Sequence, residues 1–98
     1  MSHPADITAY AFFRALTALP FIEAVYLYGS RARGDANAAS DIDLAMVCPK
    51  ASDAQWAMVG DVIDNADTLL KIDYVRLDAL HDGRLKANIL QDGVKIYG

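Results

Sequence analysis

Two aspartates, Asp41 and Asp43, stand two positions apart in a segment typical of a β-strand. Side chains two apart on a strand lie on one face, with Cα atoms about 6.5–7 Å apart. Two carboxylates on one exposed face repel each other and favour a bound cation, and oxygen ligands in a partly hydrated site suit Mg²⁺ or Mn²⁺. Two such ions about 3.5–4 Å apart could be bridged by this pair, as in phosphoryl or nucleotidyl transfer. Taken alone, however, such a pair is more often a solvated strand end.

A glycine–serine step, Gly29-Ser30, follows the apolar and aromatic run Ala24–Tyr28 and precedes a helix-prone segment. Glycine permits a turn that brings backbone N–H groups and the Ser30 hydroxyl towards a phosphate. The step is not a Walker loop or a dinucleotide fingerprint, and alone it is also compatible with an ordinary turn. The specific feature is the combination of this step, ten intervening residues, and then Asp41-Ile42-Asp43.

The composition narrows the class of protein. A length of 98 residues fits one domain spanning residues 1–98, and 54% hydrophobic with 22% charged residues excludes a disordered chain. The formal charge of −4 argues against a broad basic face, so we expect no direct nucleic-acid binding. The mean hydropathy of +0.15 is high for a chain of this size and suggests apolar surface reserved for a partner.

Compartment signals are few. The single cysteine cannot form an internal disulfide, and no apolar window reaches the length of a membrane span. The first residues lack the basic cluster of a signal peptide. We therefore expect a cytoplasmic protein without membrane association.

The elements that must position these residues follow the order α-β-(short α)-β-α-β-α-β. Apolar spacing predicts a first helix from Ala9 to Leu19, with Asp6 as N-cap and Pro20 as its stop. A capping box at residues 52–55 starts a second long helix whose apolar stripe begins at Trp56, and a last helix covers residues 84–91. Strands are predicted at residues 24–28, 41–47, 70–77 and 94–97. The order indicates a small α/β sheet with helices packed on it.

The string Gly-Ser-Arg-Ala-Arg-Gly from residue 29, followed by Ser-Asp-Ile-Asp-Leu from residue 40, resembles the nucleotidyltransferase superfamily of the DNA polymerase β type. It looks most like the minimal branch, the MNT-domain proteins that act as antitoxins beside HEPN-domain toxins. The likeness extends over essentially the whole chain. It implies an α/β (α+β) fold with a small mixed sheet flanked by helices.

The resemblance also implies a third carboxylate on a later strand, for which Asp73 is the natural candidate. A lone charge among apolar strand residues is expensive unless it is paired or binds a cation. By similarity, Asp41, Asp43 and Asp73 would hold two Mg²⁺ ions, with Mn²⁺ as a possible substitute, and Asp73 would help to deprotonate the attacking hydroxyl. The alternative for Asp73 is an ion pair at a sheet edge with Lys71.

The same resemblance assigns the nucleotide contacts. Gly29 and Ser30 would contact the triphosphate of ATP, and Ser40 is a further nucleotide-binding candidate whose alternative is to orient the strand entry. Arg33 would make a charge-assisted contact with the phosphates and is favoured over Arg31, which follows Ser30 directly and can point away. For both arginines the alternative is a solvated helix face.

The function that follows from the resemblance is protein adenylyltransfer. AMP would pass from ATP to a tyrosine of a cognate HEPN RNase toxin and neutralise it. Two alternatives stay open: a non-catalytic antitoxin that neutralises the toxin by masking it, and a nucleotidyltransferase for a small molecule. The presence of all three carboxylates favours catalysis, and the short chain leaves no separate domain for a small substrate.

Overall fold

The structure is a computed structural model that describes residues 7–37 and 39–98. In chain order its elements are α1 (Ala11–Thr17), β1 (Ala24–Tyr28), α2 (Ser30–Arg33), β2 (Ile42–Val47), α3 (Asp53–Asp64), β3 (Ile72–Arg76), a 3₁₀ turn (Leu77–Ala79), α4 (Arg84–Asp92) and β4 (Val94–Tyr97).

The four strands form one mixed sheet in the order β3-β2-β1-β4. Strand β1 is antiparallel to both of its neighbours, β2 and β4, whereas β2 and β3 run parallel. A parallel pair requires a crossover connection, and α3 supplies it between β2 and β3. The expected small mixed sheet flanked by helices is therefore confirmed.

One face of the sheet carries the main hydrophobic core. Ile42, Leu44 and Met46 alternate along β2 and are fully buried against α1 and α3, which contribute Leu16 and Val59. Because side chains on a strand alternate between faces, burying these three residues turns Asp43, Ala45 and Val47 to the opposite face. The polar position in β2 is thus fixed by the apolar positions on either side of it.

The opposite face is covered only in part, by α4. Ile89 is the one fully buried residue that α4 contributes among the described residues, and it packs with Ala45 and Leu77. Both helix-covered faces obey the alternation expected of a sheet between helices. The part of this face beyond α4 is where the acidic residues lie.

The observed helix boundaries agree best with the predicted ones where the helix carries its own capping motif. The capping box is confirmed: the Gln55 amide donates to Ser52 Oγ (3.1 Å) and the Ser52 amide donates to Gln55 Oε1 (2.9 Å). The first helix is shorter than expected, and its predicted cap, Asp6, lies outside the described residues. At the start of α1, the carboxylate of Asp67 accepts hydrogen bonds from the backbone amides of Ala11 and Phe12, both at 3.0 Å.

The strand ends also differ by one or two residues from the expected bounds. The strand predicted over residues 41–47 begins at Ile42, and the one predicted over residues 70–77 is limited to Ile72–Arg76, because Leu77 turns into the 3₁₀ segment. The last helix extends to Asp92 and ends at Gly93, as expected. No helix in the described ranges is long and apolar enough to cross a membrane.

Candidate active site

Asp43 and Asp73 are direct neighbours across the parallel strands β2 and β3. Their register is set by the residues beside them, since Ile42 pairs with Ile72 and both contribute to the main core. A slip of one residue would turn Asp73 to the other face and bury its charge. The fold therefore brings these two of the three predicted carboxylates together.

The end of β3 is anchored independently of that core. The guanidinium of Arg76 donates to the backbone carbonyls of Cys48 (2.8 Å) and Ala51 (3.0 Å), beyond the end of β2, and pairs with Asp78 at 3.1 Å. Asp78 in turn accepts a hydrogen bond from the Cys48 amide at 2.8 Å. These bonds resist sliding of β3 along β2, so they help to keep the two carboxylates level.

Charge accumulates around Asp43. Burial raises the pKa of the Asp43 carboxyl, the negative charges of Asp73 and Asp41 raise it further, and Lys71 opposes the effect. Burial is the largest of these causes, and the neighbouring acids add to it, so the ionised form of Asp43 is disfavoured on both grounds.

Asp41 lies just before β2 and is exposed. Its charge reaches Asp43, yet within the described residues no three His, Cys, Asp or Glu side chains are gathered closely enough to form a ready metal-holding group. The three predicted carboxylates thus form a close pair and one outlying member at the open side.

The ion pair considered as the alternative for Asp73 is present. Lys71 Nζ lies 3.6 Å from Asp73 Oδ1, and the two side chains are 69% and 45% exposed. Exposed pairs of this kind contribute only about 0–1 kcal/mol. The pair therefore does not by itself explain why an aspartate stands at this position in the sheet.

The Gly29 turn lies directly against the carboxylate pair. Gly29 has φ of +73°, and a Cβ on this residue would collide with a carboxylate oxygen of Asp43. Glycine is needed here both for the backbone conformation and for the close approach. The carbonyl of Gly29 accepts hydrogen bonds from the amides of Ala32 and Arg33, both at 3.1 Å, and these bonds open α2.

The two arginines of α2 have different environments. Arg31 is 5% exposed, and its Nε and Nη2 donate to the backbone carbonyls of Asp41 (3.2 Å) and Ser40 (2.7 Å). A solvated helix face is therefore wrong for Arg31. Arg33 is exposed and forms an exposed ion pair with Asp35 at 3.3 Å, which leaves its guanidinium accessible to a ligand.

The serines frame the same region. Ser30 is half-buried at the start of α2, and its carbonyl accepts a hydrogen bond from the Asp35 amide at 3.1 Å. The hydroxyl of Ser40 accepts a hydrogen bond from the Asn37 amide at 3.0 Å. A hydroxyl has two lone pairs and one proton, so this bond leaves the Ser40 O–H free to donate to a phosphate.

Tyr28 is a site residue that sequence reasoning did not single out from the other tyrosines. It pairs with Asp43 across β1 and β2 and is half-buried on the same face. Burial raises the pKa of the Tyr28 hydroxyl, and the charges of Asp43 and Asp73 raise it further. The sequence did indicate that Tyr28 faces away from the core, because it alternates with the buried Leu27. Its pairing with Asp43 depends on the register between two strands, which the sequence of one strand does not encode.

The donor set suits a hard divalent cation. Carboxylate oxygens on an open, partly hydrated face are the ligands that Mg²⁺ and Mn²⁺ prefer. The unrelieved negative charge on Asp43 supplies the electrostatic reason for such an ion to bind. The residues present therefore fit a divalent cation, which Asp43 and Asp73 would hold beside the Gly29 turn.

A separate cleft of about 410 Å³ lies between α1 and α3. It is lined by Ala11, Phe12, Ala15, Asp61, Val62, Asn65 and Asp67. The cleft is on the side of the sheet opposite the carboxylates and contains none of the residues predicted to bind metal or nucleotide.

Comparison with known proteins places this geometry in context. The family described as polymerase beta, nucleotidyltransferase matches residues 14–98. A search of curated proteins finds no match.

Several solved structures share the fold. A toxin–antitoxin pair with AMP-PNP is 20% identical over 90% of this chain and 73% of the matched chain, with a TM-score of 0.64. A tyrosine-to-alanine variant of the MntA–HepT toxin–antitoxin pair is 23% identical over 100% and 74%, also at 0.64. A protein from Sulfolobus solfataricus, provisionally assigned as a nucleotidyltransferase, is 28% identical over 84% and 68%, at 0.52.

Proposed function

Because the chain belongs to the polymerase β nucleotidyltransferase family, we propose that it is a cytoplasmic antitoxin that transfers AMP from ATP to a tyrosine of a HEPN-domain toxin. The observation that carries this proposal is the Asp43–Asp73 pair lying against the Gly29 turn on the open part of the sheet. The similar toxin–antitoxin structures, one with AMP-PNP, support a toxin as partner and a nucleotide as ligand.

In this proposal the nucleotide is held from two sides. The backbone and hydroxyl of Gly29-Ser30 contact the triphosphate, and the Ser40 hydroxyl donates to it. The exposed guanidinium of Arg33 exchanges Asp35 for phosphate oxygens, since an exposed ion pair is weak enough to open.

The carboxylates provide the metal site. Asp43 and Asp73 would form its core and Asp41, at the strand entry, would complete it, so that the three would hold two Mg²⁺ ions, with Mn²⁺ as a substitute. When bound, these ions neutralise phosphate charge and polarise the α-phosphoryl group.

The transfer step itself is a substitution at the α-phosphorus. The toxin's tyrosine hydroxyl gives its proton to the Asp73 carboxylate as its oxygen attacks the α-phosphorus of ATP. The bond between the α-phosphorus and the bridging oxygen breaks, and pyrophosphate leaves against Arg33. The toxin then carries an AMP group on tyrosine, which abolishes its RNase activity.

Masking without modification is the second candidate, and the exposed apolar surface is compatible with it. Six large apolar side chains are exposed within the described residues: Met58, Leu69, Leu85, Leu90, Val94 and Tyr97. Such side chains suit a stable heteromeric contact, which is needed under either mechanism. A small-molecule acceptor is the third candidate.

The experiment is a label-transfer assay. The chain is incubated with ATP labelled on the α-phosphate, Mg²⁺ and the product of the neighbouring gene, and label is expected on a tyrosine of that partner. Asp43→Asn should reduce the rate of labelling at least about a hundredfold, the scale of losing a group that stabilises the transition state. Asp61→Asn, an exposed aspartate of α3 on the far side of the sheet, is the matched control.

Undiminished labelling by Asp43→Asn would contradict the metal assignment. Absence of label on the partner, with label instead on an added small molecule, would contradict the choice of acceptor.

A further inference from the structure

Arg31 is the only polar or charged residue that is buried among those the structure describes. Burying a guanidinium is costly unless its donors find acceptors. Two of those acceptors are the backbone carbonyls of Ser40 and Asp41, at 2.7 and 3.2 Å. Arg31, the second residue of α2, therefore holds the backbone segment that leads into β2.

The two carbonyls occupy a particular place in the backbone. They belong to the two peptide units on either side of the Asp41 Cα. Fixing both peptide planes fixes the backbone dihedral angles of Asp41 and hence the direction of its Cα–Cβ bond. The next residue, Ile42, is fixed from the other side by its amide, which donates to the Lys71 carbonyl at 2.9 Å.

Arg31 adds to the Ile42–Lys71 hydrogen bond by also fixing the peptide unit that precedes Asp41. Asp41 lies outside β2 and its side chain is exposed. The connection from Gly34 to Asn37 is likewise almost entirely exposed. The Arg31 guanidinium therefore links α2, which follows the Gly29 turn, directly to the backbone just before β2.

We infer that Arg31 is a positioning residue. It orients the Asp41 carboxylate towards the Asp43–Asp73 pair and sets the distance between the Gly29 turn and these carboxylates. This inference rests on the proposed function, because it concerns the metal site of that reaction. Arg31 itself does not contact nucleotide or metal, which distinguishes it from Arg33.

The test measures Mn²⁺ binding to the free chain, with no toxin and no ATP, by calorimetric titration. Arg31→Lys keeps the charge but not the fork, so its Mn²⁺ affinity should fall about 10–100-fold, the usual effect of losing a group that orients a metal ligand. Arg84→Lys, at the exposed start of α4, is the matched control and should bind Mn²⁺ like the wild-type chain. Circular dichroism establishes that both variants are folded.

A double-mutant cycle separates positioning from a general loss of structure. In an Asp41→Asn background, Arg31→Lys should cause no further loss of Mn²⁺ affinity, because the carboxylate that it aims is gone. An equal loss in both backgrounds would overturn the inference, and so would wild-type affinity in Arg31→Lys. If Arg31→Lys does not fold, Arg31→Gln, which keeps one planar donor group, takes its place in the cycle.

Kinetics give a second readout that distinguishes this inference from the proposed function. In label transfer, Arg31→Lys should lower kcat with the KM for ATP unchanged, whereas Arg33→Lys should raise that KM. A raised KM for ATP in Arg31→Lys would identify a nucleotide contact and overturn the inference. If no acceptor is labelled but the double-mutant cycle gives the expected Mn²⁺ affinities, the proposed function fails and the inference about Arg31 stands. If the wild-type chain binds no Mn²⁺, the inference is overturned.

Discussion

Asp43 occupies a position that disfavours its own charge. Burial and the neighbouring Asp73 and Asp41 raise the pKa of its carboxyl, and only Lys71 acts in the other direction. A carboxyl whose pKa is higher in the folded than in the unfolded chain favours folding while it is protonated. That contribution is lost as the pH rises through the folded-state pKa. At neutral pH the ionised group therefore weakens the fold until a cation binds.

Asp43→Asn should consequently stabilise the metal-free chain at neutral pH. After allowance for solvent screening at this partly exposed site, we expect a gain of about 0.5 kcal/mol, or roughly 2–4 °C in Tm. The gain should shrink as the pH falls through about 4, where the carboxyl of the unfolded chain also becomes protonated. Thermal unfolding followed by circular dichroism across this pH range measures it, and Asp61→Asn controls for the amide substitution. A lower Tm for Asp43→Asn at neutral pH would contradict the electrostatic argument.

At the level of residues, a local pattern predicted the Gly29 turn, whereas Asp73 was proposed only through the family resemblance. Its place opposite Asp43 depends on strand order and register. The sequence did not predict that Arg31 is buried or that Tyr28 lies beside Asp43. Whether an arginine on a four-residue helix faces water depends on the path of the loop after it, and the partner of Tyr28 depends on pairing between strands. Both depend on tertiary contacts that spacing along the chain does not encode.

The elements show the same division between local and distant signals. Helix α3 carries its own capping box, and its start was predicted correctly. Helix α1 takes its cap from Asp67, a residue in the connection after α3, and no local motif could announce it. The sequence pattern named Asp6, which lies outside the described residues, because cap signals are sought within a few residues of a helix.

Asp67→Ala should destabilise the fold in a pH-dependent way. The amides of Ala11 and Phe12 hold the pKa of the Asp67 carboxyl below its ordinary value. The stabilisation is therefore present above the unfolded-state pKa and lost as the pH falls through the lower folded-state pKa. Thermal melts should show a lower Tm than wild type at neutral pH and a smaller difference in acid. Asp67→Asn, which keeps one acceptor oxygen, should lie between the two.

Asp64→Ala, at the exposed end of α3, is the control for removing an acidic side chain from this region. A loss of Tm in Asp67→Ala that is constant across the pH range would mean that the carboxylate charge does not contribute to capping α1.

In the molecule as a whole, charge and apolar surface are distributed unequally. The formal charge is −4, and the three proposed ligands, Asp41, Asp43 and Asp73, account for most of the excess of 13 acidic over 9 basic residues. The rest of the chain is close to neutral, and several large apolar side chains remain exposed. The molecule thus combines one strongly acidic site with apolar surface, and the two can be tested separately.

The double variant Asp41→Asn, Asp43→Asn should lose toxin neutralisation while it still co-purifies with the toxin. Its exposed apolar side chains are unchanged, but the metal site is removed. Co-expression with the toxin, scored by growth and by AMP on the toxin measured by mass spectrometry, provides the readout. The control Asp61→Asn, Asp64→Asn makes the same change in charge on the far side of the sheet. Full neutralisation by the first variant, with no AMP on the toxin, would establish masking.

The pairing of β4 with β1 has a consequence for how the chain is made. Strand β1 is an interior strand, and one of its edges is covered only by residues 94–97, which are synthesised roughly 65 residues later. Contacts so distant in sequence form slowly, and an open strand edge is a template for wrong pairing in the meantime. The sheet that carries Asp43 is therefore completed only after translation of its final strand. Nascent chains shorter than this contain β2 with Asp43 but lack the fourth strand of the sheet.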